Sequence, residues 1–148
     1  MLLNDAQRFG RVSEAEAARY LQRAGYRIVA RNYRTRFGEI DLVAYDAAVL
    51  AFVEVKARRS DRFGPPQSAV THDKQRRLTR AALAYLAGLR PLKRTAGAAG
   101  RSNLPTCRFD LPSCRFDLIV IEPAAADDPR SFRIELLKNA FAPDWDGA

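Results

Sequence analysis

The stretch at residues 38–56, GEIDLVAYDAAVLAFVEVK, constrains the fold more than any other part of the chain. GEIDLVA and VLAFVEVK are rich in apolar and β-branched residues and flank a short segment at 45–48, a pattern that predicts an antiparallel hairpin. Residues two apart on a strand share a face, so Phe52, Glu54 and Lys56 point one way and Val53 and Val55 the other. A carboxylate and an ammonium then stand side by side, and the neighbouring strand brings Asp41 to them. Two carboxylates suit Mg²⁺ or Mn²⁺, hard ions that prefer oxygen ligands and keep several waters. An ion so held polarises a phosphoryl oxygen and lowers the pKa of a bound water, with Lys56 placed to orient the attacking hydroxide. An E-x-K triplet also reads as an ordinary same-face ion pair, worth roughly 0.2–1 kcal/mol. The GEID segment one arm earlier and the basic run after Lys56 favour the site.

The chain has 148 residues, 47% of them hydrophobic, which is enough for one domain, 1–148, with a sizeable core. Its formal charge of +8 points to a polyanionic partner. The basic residues are interleaved with strand and helix patterns and form no amphipathic membrane helix, so nucleic acid is the expected partner and a membrane is not. No apolar run approaches the roughly 18 residues of a spanning segment, and MLLNDAQRFG lacks the layout of an export signal. Cys107, Cys114 and one histidine make no zinc-ligand set. A reduced, cytoplasmic protein is the simplest expectation.

A first helix is expected over 13–24, with an extension back to Asn4 weakened at Gly10. Ser13 and Glu16 have capping-box spacing. Ala17, Leu21 and Ala24 share one helical face, and Glu14 lies beside that stripe whereas Glu16 lies on the wet side. A carboxylate on a buried flank needs a partner, which makes Glu14 a candidate for the acidic cluster; the alternative is a first-turn glutamate favoured by the helix dipole. Gly25 ends the helix and a strand follows over 26–33. Arg31, Arg34 and Arg36 surround the turn into Gly38, and Glu39 is placed either to support Asp41 or to hold one of these arginines.

Beyond Lys56, Arg58, Arg59 and Arg62 lead into a loop marked by Gly64, Pro65 and Pro66 and are candidates for phosphate contacts. Thr71 is the expected N-cap of a second helix reaching about residue 88, with Leu78, Ala82, Tyr85 and Leu89 as its apolar stripe. Lys74 sits at the stripe edge, where it reaches the site or a phosphate. His72 is not needed as a base if a metal generates the nucleophile. Residues 90–113 read as a flexible loop and 142–148 as a short tail. LPTCRFD at 104–110 is followed at once by LPSCRFD at 111–117, a tandem duplication. The second copy runs into the apolar LIVIEP, so Phe116 and Asp117 are expected in the sheet and the first copy in the loop. A last strand is expected over 131–137.

An Asp on one strand and E-x-K on the next resembles the PD-(D/E)xK, or restriction-endonuclease-like, nuclease superfamily. More closely, the helix E-x5-YL, then GY-I-x3-N, GEIDL, FVEVK-x-R, G-x6-V-x3-K, RFDL and the terminal NAF resemble the YraN family of bacterial proteins, thought to be related to archaeal Holliday junction resolvases. The resemblance covers nearly the whole chain. It implies a restriction-endonuclease-like α/β fold, a mixed sheet of about five strands flanked by helices. It also implies a DNA endonuclease, acting on branched or otherwise structured DNA, with Mg²⁺ or Mn²⁺ on Asp41, Glu54 and the Val55 carbonyl. In that scheme Lys56 handles the water, Glu14 completes the acidic cluster, and Lys74 matches the family's helix lysine. Resolvase-like relatives act as dimers, so a homodimer is implied, although no stretch identifies its surface. The rival readings are a non-catalytic nucleic-acid-binding module and a scaffold for an acidic protein. Neither explains why a phosphate-binding face would gather carboxylates.

Overall fold

In the computed structural model, residues 2–59, 64–89, 111–125 and 128–143 are described. Helix α1, Asp5–Arg23, begins at Asn4, whose side chain accepts from the Gln7 amide at 2.8 Å while Gln7 Oε1 accepts from the Asn4 amide at 3.1 Å. The capping box therefore lies at Asn4 and Gln7, not at Ser13 and Glu16. Ser13 is buried inside the helix, and Glu16 pairs with Arg19. A mid-helix glycine costs about 1 kcal/mol, too little at Gly10 to stop a helix that is capped at its start and buries Ala17, Ala18 and Leu21 further on. Gly25, at φ +90°, closes the helix as expected.

Five strands follow: β1 (Arg27–Thr35), β2 (Gly38–Asp46), β3 (Val49–Ala57), β4 (Ser113–Ala125) and β5 (Asp128–Phe141). They form one sheet in the order β1-β2-β3-β4-β5, antiparallel except for the parallel pair β3–β4. A parallel pair needs a crossover, and this one carries a short 3-10 turn, Pro66–Ala69, and helix α2, His72–Gly88. Thr71 caps α2 by accepting from the Lys74 amide at 3.3 Å.

The two helices cover opposite faces of the sheet. Leu78, Ala81, Ala82 and Leu86 of α2 pack with Ile40, Val43, Phe52, Phe116 and Val120, whereas Ala17, Ala18 and Leu21 of α1 pack with Leu42, Ala44, Val53, Ile119 and Ile121. This is the mixed five-stranded α/β arrangement that the restriction-endonuclease-like resemblance implies. Leu86 takes the buried place expected of Leu89, which is 41% exposed one residue past the helix. The turn between β2 and β3 is only Ala47 and Ala48, with Ala47 at φ +52°. β5 is longer than its apolar core suggests because Phe141 stacks on Phe116 with centroids 4.6 Å apart.

The second RFD copy is the one in the sheet. Asp117 is buried, receives Arg115 Nε at 2.7 Å, and accepts from the Asn139 amide at 2.9 Å, while Arg115 also reaches Asp46 at 2.8 Å. The first copy lies outside the described residues, as do 90–110 of the expected loop and 144–148 of the expected tail; Ser113, the loop's expected last residue, opens β4. Deleting residues 107–113 rejoins an identical CRFD to the same strand, so it should change the melting temperature by no more than a few degrees. Calorimetry checks this, and a collapse of the transition would show that the first copy contributes to the sheet.

Candidate functional site

The hairpin β2–β3 does not stay zipped along its length. Its pairing runs from Asp46↔Val49 to Leu42↔Val53 and goes no further, whereas β3 continues beside β4 as far as Ala57↔Ile121. β2 and β3 therefore part beyond Leu42 and Val53. The next residues on the two strands are Asp41 and Glu54, one on each side of the fork. Asp41 closes the gap with its side chain, Oδ2 accepting from the Val55 amide at 2.8 Å. An N–H and a C=O of one strand residue point to the same edge, so the Val55 carbonyl also faces the fork. Beyond the fork, the Arg58 amide turns to the opposite edge and bonds the Ile121 carbonyl at 2.8 Å.

Three further carboxylate and amide groups gather there. Glu14 comes from α1, Glu39 from β2, and Asn32 from a left-handed residue of β1 at φ +50°. With its amide oriented to satisfy both neighbours, Asn32 donates to Glu14 Oε2 at 3.2 Å and to Glu39 Oε1 at 3.0 Å. Glu39 also receives Arg34 at 3.2 Å, so it holds one of the turn arginines. On the other side, Lys74 of α2 forms an ion pair with Glu54 Oε1. The residues line two adjoining hollows, one of about 410 Å³ with Arg11, Glu14, Asn32, Glu39 and Asp41, the other of about 370 Å³ with Glu14, Asp41, Glu54, Lys74 and Arg77.

The charge in this cleft is only partly compensated. Burial, then the Glu54 carboxylate, and further on Glu14, push the Asp41 carboxyl up to about 7, against the Val55 amide and Lys74, which favour its charged form. Burial and the Glu39 carboxylate likewise raise Glu14, with Arg11 opposing and Glu54 adding to the rise. Like-charged oxygens held in a half-buried fork are what a cation relieves. Among the described residues, no three His, Cys, Asp or Glu side chains converge as a closed metal cage. Mg²⁺ and Mn²⁺ do not need one, because they are held by one or two carboxylates and keep waters for the rest. Asp41, Glu54 and the Val55 carbonyl fit that requirement.

The structure brings Glu14, Asp41, Glu54 and Lys74 to one cleft, as the sequence suggested, and places Lys56, Arg58 and Arg59 differently. Lys56 is exposed, two residues past Glu54, and does not line either hollow. Arg58, expected to contact phosphate, is 8% exposed, pairs with Glu122 at 2.9 Å and donates to the Gly64 carbonyl at 2.9 Å. Its guanidinium is used inside the protein, anchoring the crossover to β4. Arg59 donates to the Asp5 carbonyl at 3.2 Å and lies over Phe9, beside the start of α1. Arg62 lies outside the described residues. Lys74 reaches the site, one of the two places expected of it, through its ion pair with Glu54. Asn32 was legible only as one letter of a motif, since nothing in the pattern around it marks a left-handed residue between two glutamates. His72 lies with Gln75 and Thr79, apart from the cleft.

The sequence model of Uncharacterised protein family UPF0102 matches residues 13–121. That span runs from the residue before Glu14 through the whole fork to the end of the β3–β4 pairing. The chain belongs to this family. It is the family recognised above as YraN, and two UPF0102 proteins illustrate the relationship. One, from Desulfosudis oleivorans, is 44% identical over 140 residues, covering 95% of this chain and 94% of the relative. The other, from Symbiobacterium thermophilum, is 46% identical over 136 residues, covering 92% and 98%. Among the described residues no helix is long and apolar enough to cross a membrane.

The raised Asp41 carboxyl sets the sign of a pH dependence. Its folded value near 7 exceeds the ordinary 3.8, so its contribution to stability is complete below about pH 4 and is lost as pH rises through 7. Glu14 acts in the same direction. The metal-free protein should therefore melt at progressively lower temperature from pH 5 to pH 8, and Asp41→Asn, which keeps an acceptor for Val55, should flatten that trend. Melting curves across this range in EDTA check it; a rise in stability toward pH 8 would contradict the assignment.

Proposed function

We propose that this UPF0102 protein is a divalent-metal-dependent nuclease that hydrolyses phosphodiester bonds, with DNA as substrate. The observation that carries the reading is the pair Asp41 and Glu54 flanking the β2–β3 fork, with Asp41 locked to the Val55 amide and Glu14 beside it. That pair, with the E-x-K triplet in the sequence, is what supports the PD-(D/E)xK reading. A non-catalytic phosphate-binding face has no use for carboxylates that repel its ligand.

Asp41, Glu54 and the Val55 carbonyl would hold Mg²⁺ or Mn²⁺, which supplies Lewis-acid activation of the phosphoryl group and an ionised water when bound. Asp41 keeps its orientation through the Val55 amide, so its second oxygen is directed from a fixed point. Glu14, tethered through Asn32, would add negative charge on the far wall and offer an acceptor to water there. Lys56, exposed two residues past Glu54 on β3, would orient the nucleophile and meet the charge that develops on the phosphoryl oxygens. Arginines flank the acidic floor on both sides: Arg11, Arg31 and Arg34 at one hollow, and Arg76, Arg77 and Arg80 along the outer face of α2. Basic rims around an acidic floor would steer a polyanion while leaving its backbone over the carboxylates. Branched or otherwise structured DNA remains the substrate form that the resolvase resemblance suggests, and a homodimer the assembly.

Cleavage should require Mg²⁺ or Mn²⁺ and disappear in Asp41→Ala and in Glu54→Ala, while Lys56→Ala should retain Mn²⁺ and cleave about a hundredfold more slowly. A panel of linear, flapped and four-way DNAs in single-turnover assays checks this; full activity in EDTA or in either carboxylate variant would overturn the reading. Binding should also be salt-sensitive through α2. Replacing Arg76, Arg77 and Arg80 by Ala should flatten the log–log salt slope on duplex DNA by roughly 0.9 per lost phosphate contact. An unchanged slope would place the DNA path elsewhere.

A further inference from the structure

Two lysines come close to Glu54 by different routes. Lys56 is its neighbour on β3 and is exposed. Lys74 comes from the first turn of α2, where its own amide is fixed by the Thr71 cap, and its ammonium rests on Glu54 Oε1. The Glu54 side chain is 7% exposed and that of Lys74 36%. A carboxylate buried to that extent needs a compensating group, and among the described residues Lys74 is the cation paired with it. The same carboxylate is assigned above to a divalent ion. An ammonium resting on one carboxylate oxygen and a divalent ion at the same carboxylate repel each other in a half-buried cleft, where their interaction is weakly screened.

We propose that Lys74 is a tethered cation that holds Glu54 in the metal-free protein and exchanges with the incoming divalent ion. This rests on reading the fork as a metal site. The exchange is geometrically simple. Lys74 has a flexible four-carbon stem with its head partly in solvent, and it lies one turn before Arg77 on the wall of the same hollow. Leaving Glu54, its ammonium enters the mouth of the cleft beside Arg77, where a phosphate bound over the fork would meet it. Lys74 thus keeps Glu54 positioned before the metal arrives, and its positive charge moves from the metal donor to the phosphate afterwards. A cleft built this way resists loading by weakly binding monovalent ions and couples metal uptake to substrate contact.

The test uses the full chain and Mn²⁺ itself, in calorimetric titrations and melting curves on the wild type, Lys74→Met, Arg77→Met and Glu54→Gln. Lys74→Met should melt lower than the wild type in EDTA, bind Mn²⁺ at least about fivefold more tightly, and gain more melting temperature on adding Mn²⁺. Arg77→Met removes a nearby charge that is not on Glu54 and should change Mn²⁺ affinity less than about twofold. Lys74→Gln replaces Lys74→Met if the latter fails to fold. Unchanged or weaker Mn²⁺ binding in the Lys74 variant would overturn the exchange, as would equal tightening in Arg77→Met. If wild type and Glu54→Gln bind Mn²⁺ equally, the fork is not the metal site and both readings fall; if Glu54→Gln loses Mn²⁺ while the Lys74 variant is unchanged, only the exchange falls.

Discussion

The hydrogen bond from the Val55 amide to the Asp41 carboxylate holds the site in place. A strand amide left unpaired at a fork would carry a desolvation cost of about 1–3 kcal/mol. Asp41 removes that cost with a side-chain oxygen, and so lets β3 leave β2 and stay with β4. The fork creates an opening between two central strands, reachable from both faces of the sheet. That is how Glu14, on the helix covering one face, and Lys74, on the helix covering the other, meet the same pair of carboxylates.

Charge is arranged in the opposite sense at the fork and around it. The chain carries a formal +8, yet its central cleft gathers Glu14, Glu39, Asp41 and Glu54. Holding like charges together in a half-buried space opposes folding, and the raised Asp41 and Glu14 carboxyls report that opposition. The far end of the sheet is handled differently. There Asp46 and Asp117 are matched by Arg115 and Lys138, and the Asp46 carboxyl is drawn down to about 2 by hydrogen bonds from Lys138 and Arg115. One network is closed and stabilises the fold; the other is left open toward solvent and a cation.

Much of this was legible in the residues because it depends on period and spacing. The apolar and β-branched content of GEIDLVA and VLAFVEVK around a short segment predicted the hairpin, and the E-x-K spacing indicated which side chains share a face with Glu54. Glu14 was legible because its position beside the Ala17 and Leu21 stripe follows from helical periodicity. The start of α1 was not, because Ser13 and Glu16 have capping-box spacing, whereas Ser13 is buried inside the helix and the box forms at Asn4 and Gln7. Arg58 was read as an outward-facing cation, since an arginine after a strand is solvated by default, and Lys74 as reaching either the site or a phosphate. Their partners, Glu122 and Glu54, are distant in sequence and come together only through the parallel β3–β4 pair and the crossover helix. The left-handed Asn32 was illegible for the same reason: its two glutamate neighbours arrive from α1 and β2.

The central claim is that Asp41 and Glu54 hold a divalent ion at the fork. A crystal soaked in Mn²⁺ and measured for anomalous scattering tests it most directly. The account predicts one strong peak at coordination distance from a carboxylate oxygen of each residue, with the Lys74 ammonium withdrawn from Glu54. No peak at the fork, with Lys74 still resting on Glu54 at saturating Mn²⁺, would contradict it.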